Sequence, residues 1–277
     1  MPRRAVLSDE QRMALLALPD DETTLVQHWT LSEDDLAIIV RRRRPHNRLG
    51  FAIQLCALRY PGRLLRPGEL IPDTPLAFVA EQLQIAPEVL ADYATRGPTR
   101  YEQLDALREG FGFTQFSRPL RAALQEWLLP IALTTTSGAG LARSLLGECR
   151  RRRIIVPGIS SVERMVAQAL LDAERHVAEH LTRGLETGQR RLLDALLLPH
   201  AGTNLSGLGW VRQPPGKPGR KTFVVIIRRL ALLRDIGIDP DIAAGIHPER
   251  LRRLCQEGAR LTAQHVRTLQ ATRRRAT

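Results

Sequence analysis

The stretch NRLGFAIQLCALR, Asn47 to Arg59, is apolar on more than one side. Leu49, Ile53 and Cys56 form one helical stripe, and Phe51, Leu55 and Leu58 form another. A helix apolar nearly all round is one that other elements must bury. Pro61-Gly62 ends it, and helix signals recur on both sides. Ser8 and Gln11 have capping-box spacing, opening a helix that stops at Pro19. Ser32 can cap another, with Glu33, Asp34 and Asp35 in its first turn, where anions suit the helix dipole. That helix is expected to run into Arg41–Arg44 and stop before Pro45. Residues 61–75 form a Pro/Gly-rich connection.

Further along, Thr74-Pro75 opens a helix through Leu83, Pro87 a short one through Tyr93, and Thr99 with Glu102 one that ends near Gly110. Ser117 starts a longer helix with Leu120, Leu124, Trp127 and Ile131 at core spacing. A break at 134–140 precedes a helix ending in Arg150–Arg153. Ile154–Gly158 then reads as extended, a domain boundary near 155. Ser160 and Glu163 cap a long helix to about Arg183. Gly202–Lys221 reads as a loop, Thr222–Arg234 as one helix, Pro248 to about Glu257 as another, and a last helix runs from Thr262 into Arg273–Arg275. The expected fold is all-α, with tandem small helical domains and helix-turn-helix-like units. Residues 1–155 would form N-terminal helical DNA-binding domains with a sub-boundary near 65–74. Residues 156–277 would form a helical linker and second region carrying a basic loop at 210–221.

Of 277 residues, 43% are hydrophobic, 25% charged and 4% aromatic, enough apolar content for a core and a bias toward helices. Net charge is +12, a statement about partners rather than fold. Residues 1–40 carry three basic and eight acidic side chains, so the positive charge sits in residues 41–277. The obvious partner is a polyanion, because neutralised phosphates release condensed counterions. Only Lys217 and Lys221 of the 41 basic residues are lysine. Arginine pairs bidentately with phosphate and with guanine, although a G·C-rich genome produces the same bias. Cys56, Cys149 and Cys255 show no zinc spacing and suit a reducing compartment as free buried thiols. No signal peptide and no membrane span are expected, so the sequence reads as bacterial and cytoplasmic.

Arg41, Arg42, Arg43 and Arg44, followed by His46, Asn47 and Arg48, are the strongest local feature. At a helix-helix corner they would clamp phosphate, with Asn47 suited to adenine and Arg48 to guanine. Four cations that merely solvate a helix end are the competing account. Arg212, Lys217, Arg220 and Lys221 lie in or beside a Pro/Gly-rich segment that suits the minor groove, or equally a linker with incidental charge. Arg151, Arg152 and Arg153 suit a phosphate contact or a solvated helix end. Residues 75–93 and 248–272 have helix-turn-helix length. In the second, Gly258 would sit between the helices, with Gln264, His265 and Arg267 outward. His176 and His180 share a helix face with Glu174 and Glu179 but lack HExxH and a third ligand. No P-loop, GxSxG or spaced carboxylate set appears, so no catalytic and no metal-binding residue is expected.

Three stretches resemble the Tn-three family of replicative transposases. They are RRPHNRLGFAIQLCALRYPG from Arg43, RRRIIVPGISSVERMVA from Arg151, and GWVRQPPGKPGRKTFVVIIRRLALLR from Gly209, continued by HPERLRRLCQEGARLTAQHVR from His247. PRRAVLSDEQR from Pro2 fits as well. The resemblance implies the N-terminal DNA-binding region of such a transposase. It would bind duplex DNA at the terminal inverted repeats through tandem helical domains, and the longer protein could act as a homodimer. It also implies that the Mg-dependent Asp-Asp-Glu catalytic domain lies outside these residues, leaving this chain without a cofactor and without a membrane partner. Competing classes are a stand-alone repressor of transposition, an active nuclease, and a helical RNA-binding or structural protein. The few aromatics argue against RNA.

Overall fold

The computed structural model describes residues 6–93 and 97–277, and no side chain at 97–100 or at 240. Met1–Arg4 and the cap expected from Thr99 lie outside the described residues. Among those described, the chain is helical, with two isolated β-bridges. The all-α expectation therefore stands. No helix among them is long and apolar enough to cross a membrane.

The chain divides into two compact units, residues 1–128 with 137–167, and 129–136 with 168–277. The first unit begins with α1 (Asp9–Leu16), α2 (Glu22–Trp29), α3 (Glu33–Val40) and α4 (Pro45–Arg59). It continues through α5 (Asp73–Leu83), a 3-10 helix at Pro87–Asp92, and α6 (Gly97–Phe111). It also takes most of α7 (Arg118–Thr134), α8 (Gly138–Arg151) and the start of α9 (Ile159–Arg183). α4 is its central element. Every residue from Leu49 to Leu58 is buried, and α2, α3, α5, α6 and the 3-10 helix pack on it. The two apolar stripes of Asn47–Arg59 are thus both covered.

Trp29 and Gln54 find partners for their polar atoms inside this core, whereas buried Gln103 Oε1 has none among the described residues. Trp29 is fully buried, and its Nε1 donates to the Tyr60 carbonyl at 2.9 Å. Gln54 Oε1 accepts from Leu65 N–H at 3.1 Å. The foreseen capping box of Ser8 with Gln11 forms, and the foreseen cap at Ser32 does so as a box closed by Asp35. α2 is an unforeseen helix, capped by Asp21, whose carboxylate accepts from Thr24 N–H. α3 stops at Val40 rather than running into the arginines. Pro45 instead opens α4, where its fixed φ and missing N–H are tolerated. Ile154–Val156 also belongs to this core: Ile155 N–H donates to Thr114 O at 2.9 Å and Val156 N–H to Gly62 O at 2.8 Å.

The second unit holds the rest of α9, α10 (Thr187–Ala195), α11 (Gly207–Arg212), α12 (Arg220–Ile236), a 3-10 turn at Pro240–Ala243, α13 (Pro248–Arg260), α14 (Ala263–Thr268) and α15 (Ala271–Ala276). α10 packs on α12 and α15, and α14 on α15. Buried Arg250 donates Nε to the Ala132 carbonyl at 2.9 Å, while Glu249 accepts from Thr136 N–H at 3.1 Å. The expected loop at 202–221 is only partly a loop. Ser206 caps α11, and Arg220 and Lys221 already lie in the first turn of α12, leaving Gln213–Gly219 as the connection.

Two thiols are sealed in the first unit. Burial pushes Cys56 up to about 12 and Cys149 up to about 11. Cys255, on α13, is exposed, contrary to the expectation that all three are buried.

Candidate nucleic-acid interface

The corner between α3 and α4 is built by its own backbone. Arg42 N–H donates to Ile39 O, and Asn47 and Arg48 N–H donate to Arg44 O. Arg48 Nε reaches back to the Arg42 carbonyl at 2.7 Å, stapling the turn. The Arg42 guanidinium lies 4.3 Å from the centre of the buried Phe51 ring. Arg42 and Arg48 therefore have structural roles. Arg41, Arg43 and Arg44 are exposed, and no carboxylate among the described residues pairs with them. His46 and Asn47 follow at half-buried positions of the first turn of α4. The structure thus gathers the foreseen cluster at one corner, with three of its four consecutive guanidiniums free and two members holding the turn.

Arg151, Arg152 and Arg153 are engaged otherwise. Glu148 accepts from Arg151 Nε and Nη2, both at 2.7 Å, and from Arg152 Nε at 2.6 Å. The Arg151 hydrogen bonds, joined by those of Arg152, outweigh burial and hold its carboxyl at about 2. Arg153 Nη1 donates to the Phe111 carbonyl at 2.9 Å.

In the second unit Arg212 Nη1 donates to the Leu261 carbonyl at 2.8 Å, whereas Lys217, Arg220 and Lys221 are exposed, with no acceptor for their charged groups among the described residues. Arg229, which the sequence did not single out, lies 5.3 Å from the Trp210 ring centre and bonds to the Gln213 carbonyl, anchoring that loop. Its only sequence signal is sixteen residues distant, beyond any local period.

Both candidate helix-turn-helix segments differ from expectation. In 75–93 the second arm is a 3-10 helix, reached through Gln84 in the left-handed region at φ 55°. In 248–272 the turn falls at Leu261-Thr262, not at Gly258. Gly258 is buried within α13, where a Cβ would sit 2.6 Å from the Thr277 carbonyl. α14 has six residues. Gln264 is exposed, His265 Nδ1 lies 2.8 Å from Thr262 Oγ1, and Arg267 Nε donates to the Leu197 carbonyl at 3.0 Å. Arg267 is thus tied to the fold rather than pointing free. His180 Nε2 lies 3.0 Å from the Ala244 carbonyl. Among the described residues no three His, Cys, Asp or Glu side chains are grouped to hold a metal.

The sequence is similar to known proteins along its whole length. It is 37% identical over 277 residues to the transposase for transposon Tn21 of Escherichia coli, and 38% identical over 279 residues to that for transposon Tn3926 of the same organism. It is 35% identical over 277 residues to the transposase for transposon Tn501 of Pseudomonas aeruginosa. Each comparison covers 100% of this chain and 28% of the relative, so the chain spans just over a quarter of their length. The resemblance to Tn-three family transposases thus extends from end to end. The pattern of a family described as "Domain of unknown function (DUF4158)" matches residues 6–169, more than half of the 277, and the chain belongs to that family.

Proposed function

We propose that the chain binds duplex DNA at transposon ends, as a DNA-recognition region of a transposase. The observation that carries this reading is the α3–α4 corner, where Arg41, Arg43 and Arg44 project unpaired from a turn fixed by Arg48 and Arg42. Unpaired guanidiniums on a rigid turn suit phosphate, and the neighbouring Asn47 and the remaining nitrogens of Arg48 suit base edges. The net charge of +12 and the similarity to proteins named transposases support the same partner. Lys217, Arg220 and Lys221 would add a second contact from the other unit. Tandem modules raise the effective concentration of the second once the first is bound. Binding alone is assigned to these residues, without a cofactor.

The test is fluorescence anisotropy of the purified chain on three probes: a terminal inverted repeat, a scrambled duplex and a structured RNA, across a salt series. Preference for the repeat, with affinity falling steeply as salt rises, is expected. A flat salt response, or preference for RNA, overturns the reading.

A further inference from the structure

Arg59, Arg150 and Arg153 line one pocket of about 200 Å³ in the first unit, with Leu58, Phe111 and Phe113 completing its wall. The pocket lies at the far end of α4 from the Arg41–Arg48 corner, roughly 20 Å along a helix of 15 residues. Three chain segments meet there. α4 brings Arg59, α8 brings Arg150, and a short parallel pairing of Thr114 with Ile154 sets Phe113 beside Arg153. Two left-handed residues make this meeting possible. Arg153, at φ 52°, turns the chain after α8, and Gly112, at φ 66°, turns it after α6. The Phe111 carbonyl thereby comes within 2.9 Å of Arg153 Nη1.

The charges in this pocket do not balance. Asp35 pairs with Arg59 at 2.6 Å. Among the described residues, Arg150 donates to the Pro61 carbonyl at 3.3 Å and lies over the Tyr60 ring, whose centre is 5.0 Å away, with no carboxylate paired to it. Arg153 donates to the Phe111 carbonyl and pairs with no carboxylate among the described residues. The nearest spare carboxylate in sequence, Glu148, is taken by Arg151 and Arg152. Among the described residues, these two guanidiniums are therefore left without a counter-charge. Burial draws Arg150 below the ordinary arginine value, with no carboxylate acting on it. A half-buried cation without an anion is costly, and the phenyl walls strengthen any ion pair formed there.

We propose that Arg59, Arg150 and Arg153 form an anion site that takes a phosphate group. Among the described residues, protein acceptors leave Arg59 Nε, and Nε and Nη2 of both Arg150 and Arg153, unused. Guanidiniums from three residues that line one pocket offer enough donors for the several oxygens of one phosphate. The phosphate is either a phosphodiester of duplex DNA or a free phosphate ion. The first source rests on the DNA-binding reading above, and the second does not.

The experiment uses the whole chain and two probes. Inorganic phosphate is titrated against chloride of equal ionic strength, with the thermal midpoint as readout. A duplex is titrated across a salt series. R153Q removes an exposed pocket guanidinium, R150K keeps charge but loses the planar fork, and R143Q removes an exposed arginine elsewhere on α8. Phosphate is expected to raise the midpoint, with R153Q weakening the response roughly tenfold and R143Q leaving it unchanged. If R150K fails to fold, R153Q still decides. A duplex salt slope lowered by about one in R153Q identifies the DNA phosphodiester as occupant, and an unchanged slope identifies the free ion. Should the wild-type chain bind no duplex, the DNA reading falls while the phosphate titration still reads the site. Phosphate acting no better than chloride, or R143Q behaving as R153Q, overturns the proposal.

Discussion

Asp35 Oδ1 accepts a hydrogen bond from Arg59 Nη2 at 2.6 Å, joining the first turn of α3 to the last turn of α4. Burial alone would raise the Asp35 carboxyl, but the Arg59 hydrogen bond and the Ser32 N–H outweigh it and hold it below the ordinary value. Asp35→Asn should cost about 2 kcal/mol, less than a fully buried pair because Arg59 is partly exposed. Urea unfolding at neutral pH measures it.

Glu148 predicts the pH profile of the first unit. A carboxyl held at about 2 contributes stability above its unfolded value near 4.5, lost as pH falls toward 2. With allowance for screening of the exposed Arg151, the loss should be roughly 2 kcal/mol. Glu148→Gln should be less stable at neutral pH and should flatten the acid limb. An unchanged acid limb would show that Glu148 is not the group titrating there.

Gly50 marks where α4 and Tyr93 meet. A Cβ there would lie 2.1 Å from Tyr93 Cδ2, so the ring must move. Gly50→Ala should destabilise by about 1–3 kcal/mol, seen as a lower urea midpoint.

Gly188 predicts the opposite sign. It lies inside α10 with nothing within 4 Å of its Cβ position. Gly188→Ala should stabilise by about 0.5–1 kcal/mol through helix propensity and reduced unfolded-state freedom. A lower thermal midpoint would contradict this.

At the α3–α4 corner the residues should separate by role. Arg43→Ala should weaken repeat and scrambled duplex alike and lower the salt slope by about one. Asn47→Ala should weaken the repeat by about 1–3 kcal/mol and the scrambled duplex less. Equal losses on both duplexes would remove Asn47 from base reading.

Much of the first unit was legible locally. The double stripe of Asn47–Arg59 announced a helix that must be covered, Ser8 announced its box and Ser32 its cap, each within three residues. α2 was not legible, because ETTLVQHW holds β-branched and aromatic residues of modest propensity, and burial of Leu25 and Trp29 is what sustains it. Gly258 looked like a turn because its real reason, the approach of Thr277, lies nineteen residues away. The arginine corner was visible as a run of one residue type. Which of its members are free was not, because that depends on where Phe51 and the Arg42 carbonyl come to rest. The pocket of Arg59, Phe111 and Arg150 joins positions about fifty and forty residues apart, so no spacing rule could have found it.

The contrast among the three thiols has a practical side. A maleimide dye offered to the folded chain finds Cys56 and Cys149 closed off inside the first unit and meets Cys255 on α13. The native sequence therefore carries its own labelling handle in the second unit, and a fluorophore there reports on that unit without a thiol having to be introduced.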